Sequence, residues 1–515
     1  MCAIAGCTAD RRPQVEAMLR AMSHRGPDQS GITVRHGVVL GHNRLSIIDL
    51  EGGRQPLANE DGSLWLTFNG EIYNFRELRR RLEAAGHRFA TRTDGEVIVH
   101  LYEEEGPELV RSLYGMFAFA LATPQGLMLA RDPLGIKPLY TGRDREGHLY
   151  FASEIKALLP HVQSIEEFPP GHYWTPGTGL VRYFDLPPVT EDLDDVDQAA
   201  ALVTERLREA VRARLVADVP VGVFLSGGLD SALVAAFCAE ARRETGEPVH
   251  SFAVGMAGSE DLQAARLVAR HLGTIHHELV FDRDDLIRLL PDVVAWLESY
   301  DPALVRSALA TYLASGLARR HVTVVLSGEG ADELFAGYQY LKLPGIRRRL
   351  QEELRDITRT LHNTNLQRVD RMSMIHSLEV RVPFLSTRLL EVAWRIPARW
   401  KLHPSGTEKW ILRRIARRYL PEAVWARPKA KFAIGTGTGP ALEAYAEEVI
   451  SDAEFAREAA RLADLGVKTK EALLYYRYFE RAFGDRAREA ARLVGLSRSL
   501  NPGQVYREGP AVRGA

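Results

Sequence analysis

In the first third of the chain, short apolar runs recur with polar breaks between them, at 37–40, 44–49, 64–68, 116–121, 127–130 and 149–152. Several are apolar at successive positions rather than alternating, which predicts strands buried on both faces. Two stretches switch to helical spacing. One predicts a helix over 75–85, with Asn74 at its N-cap and Gly86 as its stop; the other starts near Gly95 and reaches about Ser112. The pattern is that of stacked sheets with outer helices. Residues 185–198 read DLPPVTEDLDDVDQ, adjacent prolines among acids, a linker composition. Helical spacing resumes at about Ala199 and runs toward Ala217, placing a domain junction near residue 195. Strand and helix then alternate: strands at 219–225, 249–254, 275–281 and 322–326, with a helix over 261–272 stopped by Gly273. That order predicts a parallel sheet with crossover helices and ligands at the strand carboxyl ends. Past residue 340 the chain reads as helical and basic.

Chemistry gathers where the first of these strands ends, in VGVFLSGGLDS at 221–231. An apolar run enters a glycine-rich polar turn and continues as a small-residue helix. A helix starting there points free N–H groups and its positive dipole end at an anion. Gly227 and Gly228 let the backbone approach a ligand, Ser226 and Ser231 add hydroxyls, and Asp230 offers a magnesium ligand. No lysine follows the glycines, so this is not a Walker A loop. At the other end, Met1 precedes a small residue and is expected to be removed, which would give Cys2 a thiol and a free α-amine. Such an amine, with a pKa near 8, can act as the base for its own side chain. Cys7 reads as core.

Composition restricts the setting. A chain of 515 residues holds roughly two to four domains. With 46% hydrophobic and 26% charged residues, large cores are expected and global disorder is not. A formal net charge of −1 gives no electrostatic reason for nucleic acid or an anionic membrane as partner. No apolar run approaches the roughly 20 residues of a bilayer crossing, and the start lacks a leader pattern. Three cysteines without a CxxC pair fit neither a disulfide framework nor a zinc motif, so a reduced, cytoplasmic setting is expected.

Five segments belong together: Cys2 with AIAG, HRGPD at 24–28, RLSIID at 44–49, NGEIYN at 69–74 and RTDGE at 92–96. Jointly they resemble the class II glutamine amidotransferase domain of the N-terminal nucleophile hydrolases, over roughly residues 2–185. The SGGLDS loop resembles the pyrophosphate-binding loop of ATP pyrophosphatases, which cleave ATP to AMP and pyrophosphate. SGEGADELFAGY at 327–338, DRMSMIHSLEVRVPFL at 370–385 and the GTEKWILRR that holds Lys409 extend that match. The two halves in this order resemble the family of glutamine-hydrolysing asparagine synthetases over nearly the whole chain.

The resemblance implies a two-domain α/β and α+β protein. Residues 2–190 would form an αββα sandwich and 196–497 a parallel-sheet ATP-pyrophosphatase domain with additional helices, followed by a disordered tail at 498–515. It implies that Cys2 attacks the side-chain amide of glutamine and that Asn69 and Gly70 supply the oxyanion hole. Arg44 would bind the glutamine α-carboxylate, with Leu45, Ser46, Ile47 and Ile48 in the same segment, and Glu71 and Asp94 would hold the α-ammonium. In the second domain, Leu225 and Val254 would lie at the adenine, and Ser226, Gly227, Gly228, Asp230 and Ser231 at the pyrophosphate. Ser327 and Gly328 would contact the nucleotide, and Asp230 and Asp332 would hold Mg2+. Glu329 would act at the reacting centre, Lys409 on the departing pyrophosphate and Arg306 on the acceptor's α-carboxylate. Glu154 and Lys156 read as structural, and 427–435 as a loop near this site with no assigned role.

The implied reaction is ATP-dependent amidation of aspartate to asparagine through β-aspartyl-AMP, with ammonia travelling inside the protein. The partners are then small molecules (glutamine, aspartate and ATP), and a homodimer is compatible. Two departures keep the acceptor open. Ala303, Leu304 and Val305 stand where the family often has threonines, and PFLS at 383–386 departs from the commoner PFLD. The alternative is a related amidotransferase acting on a different carboxylate in a specialised pathway. Cys2, Asn69, Asp230 and Asp332 argue against an inactive glutamine sensor, and Cys2 against a ring-closing synthetase that needs no ammonia.

Overall fold

The doubly apolar runs of the first third become inner strands of two six-stranded antiparallel sheets. The computed structural model describes residues 2–429 and 432–497. The expected loss of Met1 and the tail at 498–515 lie outside the described residues, as do two positions of the 427–435 loop. One sheet runs in the order Ser164–Glu167, Tyr140–Arg143, Leu149–Ala152, Ala3–Cys7, Val38–Arg44, Gln29–Arg35. The other runs Gly179–Arg182, His172–Thr175, Gly126–Arg131, Gly115–Thr123, Trp65–Ile72, Leu57–Ala58. Ile4, Leu40 and Phe151 of the first meet Ala118, Ala120 and Leu129 of the second in a core between the layers. Phe117, Phe119 and Leu121 point the other way and pack under helices Phe75–Ala85 and Val97–Glu105. Helix Arg12–Ala21 covers the first sheet through Val15, Met18 and Leu19. Strands apolar on both faces thus produce the αββα sandwich.

The second half holds a five-stranded parallel sheet, in the order Ile275–Phe281, His250–Met256, Val221–Phe224, Val324–Leu326, Glu379–Arg381. The order reverses between Val221–Phe224 and Val324–Leu326, the switch point at which a ligand crevice opens. Helix Val196–Ala213 starts three residues before the sequence expectation, because the Asp195 side chain caps it by accepting from the Asp197 and Gln198 N–H groups. Among the described residues no helix is long and apolar enough to cross a membrane. Cys2, Cys7 and Cys238 are buried free thiols.

Three local expectations are corrected. Residues 44–49 are not a strand: strand Val38–Arg44 ends there and the chain loops. Its polar backbone groups find other partners, with Ser46 N–H on Asp28 (2.7 Å), Asp49 N–H on Asp218 (2.8 Å) and the Ile47 carbonyl on Asp218 N–H (2.8 Å). Asn74 occupies the N-cap position but does not cap; its amide instead joins the Ser112 carbonyl and the Tyr114 N–H. The helix expected to reach Ser112 turns 3-10 at Gly106, whose φ of +58° no helix interior tolerates.

Candidate active sites

Cys2 lies at the head of the central strand Ala3–Cys7, facing the gap between the layers, and Asn69 comes from Trp65–Ile72 across that gap. The Cys2 N–H donates to Asn69 Oδ1 at 2.9 Å. That fixes the amide's other end: Asn69 Nδ2 is buried and has no hydrogen-bond partner. An orphaned donor beside a nucleophile is the arrangement an oxyanion hole requires. Gly70, next in the strand, has φ +152°, and any Cβ there would collide with the Met116 carbonyl. Burial pushes the Cys2 thiol up, so at neutral pH the sulfur needs a base.

The expected glutamine contacts surround this point, but several are engaged. Arg44 is buried, and its guanidinium gathers the following loop by donating to the carbonyls of Ile48 (3.0 Å), Asp49 (2.6 Å) and Leu50 (3.3 Å). Asp94 does not cap the helix after it; it accepts from Ile72 N–H at 2.7 Å, and burial raises its carboxyl to about 6. Glu71 lies 3.2 Å from Arg381 of the parallel sheet, and burial pushes its carboxyl well above the usual range. The second domain therefore supplies a wall of the first site. Arg381 also pairs with Glu379 at 2.5 Å, which nearby positive charge holds at about 2 against its burial.

The second centre is a cavity of about 440 Å³ at the switch point. It brings together Leu225, Ser226, Gly227, Gly228, Asp230, Ser231, Val254, Arg306, Ser327, Gly328, Glu329, Asp332 and Lys409, all singled out above. The turn after Val221–Phe224 closes on itself, with the Ser231 hydroxyl 3.0 Å from that of Ser226. Gly227 has φ +70°, and a Cβ would come within 2.6 Å of the Asp261 carbonyl.

Asp230 and Asp332 converge from two loops onto Lys409, which Asp230 meets at 2.5 Å and Asp332 also contacts. Lys409 is no surface residue: it is 1% exposed, at φ +52°, heading helix Trp410–Ala416. Lys429 joins them, 2.9 Å from Asp332 and 3.6 Å from Asp230. Burial would raise the Asp332 carboxyl, but Lys409 and Lys429 hold it well below the usual range. The donor set fits Mg2+: Asp230 Oδ1 is buried without a hydrogen-bond partner, and two carboxylates with phosphate oxygens are what that ion takes.

Glu329 is held by Arg368 at 2.5 Å, and Arg368 also donates to Thr311 at 2.7 Å. Arg306 is occupied by buried Glu471, its Nε donating at 2.7 Å. Sequence reasoning placed the loop of Lys429 near this site without giving it a role, and it missed Arg368, Glu471 and Arg381. Of these three only Arg381 left a signal, since charges at 379 and 381 in an apolar run place two charged side chains on one face of a buried strand.

The two sites can be compared with known proteins. Residues 1–174 match a family model described as a glutamine amidotransferase domain, and residues 202–354 and 342–497 match one described as asparagine synthase. The chain is 38% identical over 510 residues to asparagine synthetase [glutamine-hydrolyzing] 2 of Arabidopsis thaliana, covering 95% of this chain and 88% of that protein. It is also 38% identical over 512 residues to asparagine synthetase B [glutamine-hydrolyzing] of Escherichia coli (strain K12), covering 94% and 91%.

Proposed function

The chain belongs to the family of glutamine-hydrolysing asparagine synthetases, and from that premise we propose that it is a ligase converting aspartate to asparagine with ATP and glutamine. One observation carries the reading: thirteen residues chosen from separate stretches for nucleotide, metal and acceptor line one cavity in the domain downstream of the Cys2 site.

In the first site, the α-amine of a processed Cys2 takes the thiol proton and the sulfur attacks the glutamine amide carbon. Asn69 Nδ2 and the Gly70 N–H receive the oxyanion, a contribution of about 3–4 kcal/mol for one such donor. The proton passes to the departing nitrogen, ammonia leaves, and water hydrolyses the thioester to glutamate. Asp94 and Glu71 accept the glutamine ammonium, whose charge favours their ionised forms. Arg44 meets the α-carboxylate once its guanidinium exchanges loop carbonyls for that anion.

In the second site, the SGGLDS turn grips the pyrophosphate while the aspartate side-chain carboxylate attacks the α-phosphorus of ATP. Asp230 and Asp332 would hold the Mg2+ that accompanies ATP and neutralises its phosphates. Lys409 and Lys429 stand where charge builds on the departing pyrophosphate. Ammonia then displaces AMP from β-aspartyl-AMP, with Glu329 taking the proton it sheds. Residues 2–190 serve the first reaction and 196–497 the second.

The Arg306–Glu471 pair favours a second reading. An arginine already neutralised by a buried carboxylate, with Ala303 and Leu304 also on the cavity wall, suits an acceptor lacking an α-carboxylate. Mass spectrometry of the amides formed from glutamine, Mg2+-ATP and a panel of acids decides the acceptor. Asparagine from aspartate supports the first reading; no asparagine, with another amide formed, supports the second.

A further inference from the structure

One cluster in the amidotransferase half takes no part in this chemistry. Glu60 lies in the turn between Leu57–Ala58 and Trp65–Ile72, and His87 follows Gly86 at the end of helix Phe75–Ala85. His100 and Glu103 sit on one face of helix Val97–Glu105. Nδ1 of His87 is 3.2 Å from Glu60 and 3.5 Å from Glu103. Nδ1 of His100 is 3.2 Å from Glu60 and 3.3 Å from Glu103. One donor atom from each of the four lies within 4.8 Å of the other three. Zinc bonds of about 2.0–2.1 Å in a tetrahedron set neighbouring donors about 3.3–3.4 Å apart. Both imidazole nitrogens stand near that spacing from the same Glu103 oxygen, at 3.5 and 3.3 Å, and Glu60 turns one oxygen to each of them at 3.2 Å.

The surroundings support the same ligand. Nε2 of His87 meets Glu104 at 3.0 Å. Nε2 of His100 faces Glu96 at 3.7 Å, and it is buried without a hydrogen-bond partner. The carboxylate bonded behind His87 is how metal-bound histidines are held, and Glu96 stands behind His100 at ion-pair distance. The Asn59 amide donates to the remaining oxygen of Glu103 at 3.0 Å, and the Arg88 N–H donates to Glu60 at 2.9 Å. Charge points the same way. Glu60, Glu96, Glu103 and Glu104 share two imidazoles, and among the described residues none of these acids is ion-paired with Lys or Arg.

We propose that Glu60, His87, His100 and Glu103 form a tetrahedral N2O2 site for a divalent transition metal, Zn2+ by ligand type and geometry. Four protein donors close the coordination shell, so the ion is structural. It ties the two ends of residues 88–99, the stretch that carries Asp94. Its effect on glutamine binding rests on the role proposed for Asp94; the site itself does not.

The test uses the untagged full chain, stripped with a chelator and dialysed against buffered Zn2+, with metal counted by mass spectrometry. One Zn2+ per chain is expected, along with the intense visible absorption of tetrahedral Co2+ when cobalt replaces it. Glu103→Gln and His87→Gln, both at partly exposed positions, should weaken binding more than tenfold, and Glu104→Gln by about tenfold. Circular dichroism and ammonium-dependent synthesis identify variants that have folded. The other histidine group, His250, His277 and His321, provides the control. Failure of the folded chain to take up Zn2+ at micromolar free metal would overturn the proposal. So would uptake that survives Glu103→Gln and disappears in His277→Gln.

Discussion

Burial sets the protonation of the carboxyls nearest Cys2, and glutamine binding should report it. Asp94 is raised to about 6 by desolvation, so the free protein favours its neutral form over a window where the unfolded chain would already be ionised. The folded state then binds more protons than the unfolded one between about pH 4 and pH 6, and stability from this group falls as pH rises through that range. The ammonium of glutamine needs the ionised form. We expect kcat/KM for glutamine to rise with pH through about 6, and Asp94→Asn to remove that inflection; a pH-rate series on both proteins measures it. Asn69→Ala removes the orphaned donor and should lower glutaminase kcat by about 10²–10³ while ammonium-dependent synthesis persists. Equal loss of both activities in a folded variant would reject the oxyanion role.

The turn between Val221–Phe224 and helix Leu229–Arg243 shows what an element asks of its sequence. Gly227 is confined by a positive φ and by the nearby Asp261 carbonyl. Gly227→Ala should therefore raise the KM for ATP by tenfold or more without changing glutaminase turnover, which pyrophosphate release and glutamate formation measure separately. Strands and helices of this kind were legible because their patterns are local: doubly apolar runs, glycine stops and the SGGLDS turn each follow from neighbours in sequence. The 44–49 loop was misread because its apolar residues fit a strand, while its backbone partners, Asp28 and Asp218, lie far away in the chain. Glu471 left no local trace, since it acquires meaning only beside Arg306, and the loop of Lys429 was placed near the site but its role emerges only beside Asp332. His87 and His100 carry no local signal of a site, because only the fold brings Glu60 to them.

At the scale of the molecule, the halves are joined by buried charge. Arg25, on the amidotransferase side, donates to the Cys2 carbonyl at 3.1 Å and pairs with Glu154 at 2.9 Å and with Asp370 of the second domain at 2.7 Å. Arg371, next to Asp370, pairs with Glu298 at 2.8 Å, whose carboxylate accepts the Ile155 and Lys156 N–H groups. Breaking one buried pair costs about 3–5 kcal/mol. Asp370→Asn should therefore lower the thermal midpoint and, where the protein stays folded, reduce asparagine formed per glutamate released. Paired amino-acid analysis reads that ratio. The central claim is that two chemistries occupy two sites and share one nitrogen. It is tested most directly by the Cys2→Ala chain, assayed for amide product with glutamine and with ammonium as nitrogen source. The account predicts no product from glutamine and near-normal product from ammonium. Amide formed from glutamine, or a folded variant inactive with ammonium, would contradict it.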